Sequence, residues 1–135
     1  MHGQDLTPLL NDPASRLDRT GSLMLYTGAQ YGANTEFPPS PENTRGFRQF
    51  EIQGIPWWVS YTGERYKYIR NLLPGEVEEL YDLQNDPEEL TNLAVESAPH
   101  APVVEVMRAE TVAELQRIQA PFVPNLPPVA ALPQP

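Results

Sequence analysis

The chain has 135 residues, the size of one ordinary domain. Nine basic against 18 acidic side chains leave a net charge of −9, which argues against a nucleic-acid or anionic-membrane surface, since both need a basic footprint. The absence of cysteine excludes a disulfide scaffold, a thiolate zinc site and a cysteine nucleophile, and 16 prolines exclude a helical bundle throughout. No apolar run approaches the ~18 residues of a membrane span, and the N-terminus lacks a basic-then-apolar signal pattern. A soluble chain is expected; its compartment is undecided.

Residues 1–20 contain Asp5-Leu6-Thr7-Pro8-Leu9-Leu10 and then Asn11-Asp12-Pro13. The apolar residues cluster without sustained period, so the segment reads as an extended arm or a short helical turn anchored by Leu6, Leu9 and Leu10. Ser22-Leu23-Met24-Leu25-Tyr26-Thr27, ending at Gly28, reads as a strand over 22–27. From Gly28 to Gly54 four glycines (28, 32, 46, 54) and Pro38-Pro39-Ser40-Pro41 mark a long loop. Loops beyond ~15 residues are uncommon in compact domains and are usually functional or disordered.

The strongest local signal follows. Trp57-Trp58-Val59-Ser60-Tyr61 and Arg65-Tyr66-Lys67-Tyr68-Ile69-Arg70 flank Thr62-Gly63-Glu64, which predicts a β-hairpin with strands 57–62 and 65–70. Tyr66 and Tyr68 then share one face and Lys67 and Ile69 the other. Trp57 and Trp58 face opposite ways, so they cannot form one binding platform, and one of them belongs to the core. After Leu73-Pro74-Gly75, Glu79-Leu80-Tyr81-Asp82-Leu83 predicts a further strand over 79–83. Short links favour antiparallel neighbours.

Asp86-Pro87-Glu88-Glu89 reads as a helix start, with Asp86 as cap, Pro87 at the first position and Glu89 completing a capping-box-like pattern. It predicts a short helix over 87–93. A longer one spans 102–119, where Val104, Met107, Thr111, Leu115 and Ile118 recur in three- and four-residue steps and Pro121 ends the pattern. Six prolines (121, 124, 127, 128, 133, 135) and no charge mark residues 121–135. This tail reads as polyproline-like, ordered only where it lies on another surface. The fold class is therefore α+β: a small antiparallel sheet of three to four strands packed by a C-terminal helix, with an N-terminal arm and a Pro-rich tail.

The search for chemistry returns little. His2 at the terminus and His100 between Pro99 and Pro102 read as surface histidines, because nothing near them in sequence marks a nucleophile. The acidic run Glu76, Glu78, Glu79, Asp82, Asp86, Glu88 and Glu89 lacks calcium-loop spacing and reads as a solvated strand edge and helix start. No Gly-rich phosphate loop is present. Arg65, Arg70 and Lys67 read as surface ion-pair partners. Arg45 and Arg48, in the long loop, are open to an anion-facing role or to ordinary surface pairing.

The order of motifs carries more than any one of them. Gly3-Gln4-Asp5-Leu6-Thr7-Pro8-Leu9-Leu10, the strand to Tyr26, Arg65-Tyr66-Lys67-Tyr68-Ile69, and Glu79-Leu80-Tyr81-Asp82-Leu83 with Asp86-Pro87-Glu88-Glu89-Leu90-Thr91-Asn92-Leu93 together resemble the C-terminal region of the arylsulfatase-like sulfatases. The likeness runs from Gly3 to Leu93 and, with the helix, to Gln119; the ELYDL–DPEE–NL string is its most specific part. It implies that residues 1–20 close a catalytic core, that 21–119 form the small C-terminal subdomain, and that 120–135 lie outside the pattern. The residues read the same way: the Asp86 cap turns the chain so that Leu90 and Leu93 can pack back on the sheet.

The family's formylglycine motif, C/S-x-P-x-R, has no counterpart here; Ser97-Ala98-Pro99-His100-Ala101 lacks the arginine. Formylglycine and calcium are implied only for the catalytic domain, so this chain is assigned no catalytic residue, metal ligand or cofactor. The resemblance implies a truncated or split sulfuric-ester hydrolase subdomain, inactive alone, with the catalytic domain as its partner. Tyr31, Arg45 and Arg48 are the candidates for substrate contact at the catalytic mouth. The alternative is an autonomous protein-binding or assembly module.

Overall fold

The computed structural model describes residues 7–12, 14–15, 21–28, 34–38, 40, 55–96 and 98–131. Four strands, β1 (Ser22–Tyr26), β2 (Trp58–Thr62), β3 (Tyr66–Asn71) and β4 (Glu79–Asp82), form an antiparallel meander in chain order. Leu23, Tyr61, Tyr68 and Leu80 lie in one row across the sheet, each the register partner of the next. Since side chains alternate along a strand, this row and its i±2 neighbours line one face. The predicted hairpin is β2–β3, closed by the Gly63 amide donating to the Tyr66 carbonyl at 2.9 Å.

On that face lies α3 (Ala101–Arg117), with α1 (Thr7–Asn11) and α2 (Leu93–Glu96) preceding it in the chain. Val104, Met107, Thr111 and Leu115 are buried, and Ile118 is half-buried, so the predicted stripe is the packing face. Pro102 sits in the first turn, where its missing N–H costs no intrahelical bond. The helix stops two residues before the predicted end. Gln119 enters the left-handed region (φ 57°), its amide donates to the Gln116 carbonyl, and the Ala120 amide donates to the Leu115 carbonyl, both at 3.0 Å. This is the Schellman arrangement, and Pro121 beyond it prevents continuation.

Two clusters lie between helix and sheet. Tyr61, Tyr68, Leu80, Ala94, Val104 and Met107 form one; Trp57, Val59, Leu72, Leu115 and Phe122 form the other. Phe122 is therefore core, with Ala120, Val123 and Leu126 half-buried around it, so the first part of the Pro-rich tail lies on a surface of this chain itself. Proline in this stretch does not prevent order: a 3-10 turn over Val123–Asn125 returns the chain to the sheet, and Phe122 meets Trp57 edge-on with ring centroids 6.3 Å apart.

Three further expectations are corrected. Residues 87–92 are not helical, because Asp86 accepts from the amides of Leu90 (3.1 Å) and Thr91 (2.9 Å), making a wide turn with Glu89 at φ 57°. The helix start is instead Asn92, whose Oδ1 accepts from Ala94 at 3.0 Å. Leu90 does not pack on the sheet; it is 78% exposed, whereas Leu93 is half-buried against the first cluster. Finally, α1 forms at Thr7–Asn11 with none of its residues fully buried: Leu9 is half-buried, and Leu10, expected as an anchor, is 83% exposed. Leu6 lies outside the described residues.

Asn92 joins the elements. Its Oδ1 also accepts from the Leu80 amide at 3.0 Å, and its Nδ2 donates to the Glu78 carbonyl at 3.1 Å. Asn92→Ala deletes both the cap and the β4 contacts and leaves a half-buried amide and carbonyl unpaired. Urea denaturation is expected to show a loss of about 2 kcal/mol. A change below about 0.5 kcal/mol contradicts this role.

Candidate functional site

The sheet presents two chemically different faces. Under α3, β3 and α3 enclose a polar network within the apolar core. Glu78, at 2% exposure, accepts from the Tyr68 hydroxyl and from Arg108, whose Nε and Nη2 reach its two oxygens at 2.7 and 2.5 Å. Burial pushes the Glu78 carboxyl up, but the Arg108 and Tyr68 hydrogen bonds outweigh it and the net shift is downward. The Tyr68 hydroxyl is driven the other way, first by burial and then by the Glu78 carboxylate. Arg70 lies beside them, 8% exposed, with its Nη2 donating to the Pro127 carbonyl.

At the turn end of the sheet, Asp82 is a second hub. Arg65 binds it through Nε (3.1 Å to each oxygen) and Nη2 (2.5 Å). The Gln84 amide donates to it at 3.1 Å and Asn85 Nδ2 at 2.8 Å. The Arg65 hydrogen bond, aided by Asn85 and Gln84, holds the Asp82 carboxyl well below the usual carboxylate range. Arg65 also lies over the Tyr66 ring, 4.9 Å from its centroid. A surface recess of about 550 Å³, lined by Glu64, Arg65, Leu83 and Gln84, opens beside this hub.

The face opposite α3 carries Met24, Tyr26, Trp58, Ile69, Lys67 and Tyr81, as the register dictates. Tyr26 and Trp58 stack across β1 and β2, with centroids 6.2 Å apart and planes 22° from parallel. Met24 is 64% exposed. Lys67 reaches Glu89 at 2.6 Å, and the Tyr81 hydroxyl donates to Glu79 at 2.7 Å. Trp57 and Trp58 thus face opposite ways as predicted, Trp57 buried and Trp58 half-buried.

Four of the seven acidic residues are fixed partners (Glu78 serves Arg108, Asp82 serves Arg65, Asp86 holds a turn and Glu89 pairs with Lys67), whereas Glu76 and Glu88 are exposed as expected of a solvated edge. The expected surface pairing holds for Arg65 and Lys67 and fails for Arg70, which the terminal segment covers. Among the described residues no group of three or more His, Asp or Glu side chains is arranged to hold a metal ion. His100 closes the 3-10 turn Ala98–His100 ahead of α3. Tyr31, Arg45 and Arg48, the sequence-predicted substrate contacts, lie outside the described residues. The Glu78–Arg108 pair was not legible in the sequence, because its partners stand 30 positions apart and no local pattern joins them.

The fold is a meander sheet braced by one helix, and four of its described cations pair with carboxylates. Comparison of structures places that fold inside larger proteins. A protein solved in complex with its substrate D-glucosamine-2-N,6-O-disulfate matches 87% of this chain with a TM-score of 0.61 at 17% identity. A protein described as a sulfatase from Bacteroides thetaiotaomicron matches 87% with a TM-score of 0.59 at 22% identity. A third, from a study of glycosaminoglycan metabolism by the same organism, matches 91% with a TM-score of 0.57 at 20% identity. The chain spans 20–23% of the length of these three proteins. No family model and no curated protein sequence matches it. The chain thus has the fold of a part of sulfatases, in agreement with the resemblance read from its motifs. No helix among the described residues is long and apolar enough to cross a membrane.

Proposed function

We propose that the chain is the C-terminal subdomain of a sulfatase-like sulfuric-ester hydrolase. It braces the catalytic domain, borders its substrate mouth and performs no hydrolysis alone. The observation that carries this reading is the match of nearly the whole chain to a fifth of three such larger structures. The C/S-x-P-x-R motif is not among the 135 residues, so formylglycine, calcium and the sulfate-binding groups belong to the catalytic domain. Exposed apolar side chains on α1, β1 and the β4–α2 connection (Leu10, Met24, Leu90) fit a unit made to lean on a larger neighbour. Tyr31, Arg45 and Arg48 remain the residues proposed for substrate contact.

The test uses the purified chain. It is expected to leave 4-nitrophenyl sulfate at the background rate with or without calcium, and to bind a hydrophobic dye in its native state. Turnover above background overturns the reading. A monomer that unfolds sharply and binds no dye favours an autonomous binding module instead.

A further inference from the structure

The two edges of the sheet differ. β4 forms one, and its outward backbone groups are occupied: the Leu80 amide donates to Asn92 Oδ1 at 3.0 Å, and the Glu78 carbonyl just ahead of it accepts from Asn92 Nδ2 at 3.1 Å. The Asp82 carbonyl accepts from the amides of Asn85 (3.1 Å) and Asp86 (2.7 Å). β1 forms the other edge, and among the described residues no strand lies beyond it.

The phase of the ladder fixes which groups β1 leaves over. Along an antiparallel strand each residue turns its amide and carbonyl to one side, and successive residues alternate. The Gly63 amide donates to the Tyr66 carbonyl at 2.9 Å and the Leu72 amide to the Trp57 carbonyl at 2.6 Å, so residues 57, 59, 61 and 63 face β3. Trp58, Ser60 and Thr62 therefore face β1, where their register partners are Tyr26, Met24 and Ser22. Leu23 and Leu25 are left, each pointing its amide and carbonyl away from the sheet. The outward Leu80 amide on the opposite edge obeys the same phase.

Natural sheets blunt such an edge with charge, proline, a bulge or brevity. β1 has none of these. Its five residues pair with β2 without interruption, and no charged residue or proline stands between Arg19 and Glu36. Met24 is 64% exposed and Leu25 39%.

We propose that β1 pairs with β1 of a second copy of this chain, antiparallel about a two-fold axis at Met24. In that register Leu23 of one copy lies opposite Leu25 of the other, and the reverse, so every outward amide of these residues meets an outward carbonyl. Alternation then sets Met24 against its twin on the face opposite α3, and exposed Leu25 beside Leu23 of the other copy. The occupant is a second copy because the strand is its own complement. Its outward donors match its outward acceptors, its exposed apolar side chains cover each other, and no charge in the strand or its flanks opposes like pairing with like, although the chain carries −9 overall. With the β4 edge occupied, the two-fold contact closes at two copies. The inference goes beyond the proposed function and rests on the sheet alone.

Sedimentation equilibrium of the full chain tests this, up to about 0.5 mM because small interfaces are weak. The mass is expected to approach twice the 15.2 kDa of one copy at the upper end. Met24→Lys sets two like charges against each other across the axis and is expected to weaken self-association at least tenfold. Its circular dichroism is expected to match the wild type, since residue 24 is exposed. A second pair of variants reads the register independently. The chain has no cysteine, and Cα atoms opposed at a non-hydrogen-bonded pair lie about 4.5 Å apart, within disulfide reach. With oxidised glutathione as oxidant, Met24→Cys is expected to cross-link into dimers at least fivefold faster than Ser22→Cys, which is equally on the surface but lies away from its twin. A chain that stays monomeric throughout overturns the second copy as occupant. A dimer that Met24→Lys leaves intact, or equal cross-linking of Met24→Cys and Ser22→Cys, overturns β1 as the interface. Neither result touches sulfate-ester turnover, so the proposed function stands or falls separately.

Discussion

Phe122→Ala is expected to destabilise the chain by about 3–5 kcal/mol, the range for truncating a large aromatic in a packed core. Phe122 is 2% exposed and lies in the cluster of Trp57, Val59, Leu72 and Leu115, with its ring edge-on to Trp57. Removal loses the transfer free energy of the ring and leaves a cavity that the rigid 120–126 turn fills poorly. Denaturant unfolding followed by tryptophan fluorescence measures both effects, since Trp57 gains solvent when Phe122 goes. Val129→Ala, on the exposed stretch beyond, is expected to stay within about 0.5 kcal/mol. If the two variants behave alike, Phe122 is not part of the core.

Glu78→Gln has the second large expected effect. It leaves Arg108 without its counter-ion beside the already unpaired Arg70, and breaking a buried pair by removing one partner costs about 3–5 kcal/mol. The low end of that range applies, because the Arg108 side chain keeps 24% of its surface in solvent. The wild-type advantage also depends on pH. The Glu78 carboxyl titrates below its ordinary value in the folded chain. Its unfolded counterpart, at about 4.3, therefore binds protons first as pH falls. The stabilisation is complete above that value and is lost as pH drops through the folded one. Unfolding free energies of wild type and Glu78→Gln, measured from pH 7 downwards, are expected to draw together as pH falls below the unfolded value. A constant gap contradicts the ion pair as its source.

The two predictions concern residues that local patterns treat differently. Phe122 stands among prolines with no periodic neighbour, so its segment reads as a tail; only the Schellman turn after Arg117 aims it at Trp57. Glu78 stands in an acidic run that reads as solvated; only the return of α3 across the sheet brings Arg108 within 2.7 Å. Arg70 shows the same dependence, since its side of β3 is open until Pro127 covers it.

Alternation along 57–62 and 65–70, the glycine between them, and the helical stripe at 104, 107, 111 and 115 are short-range patterns. They determined the hairpin, the opposed tryptophans, the long helix and the α+β class, because periodicity and turn chemistry act within a few residues. The ordered motifs likewise pointed to a part of sulfatases before any coordinates. The tertiary structure alone decided that Phe122 of the Pro-rich terminus is core and that Arg108 neutralises the buried Glu78. The Glu78–Arg108 pair and the Trp57–Phe122 contact join residues 30 and 65 positions apart and depend on desolvation, and no local pattern encodes them.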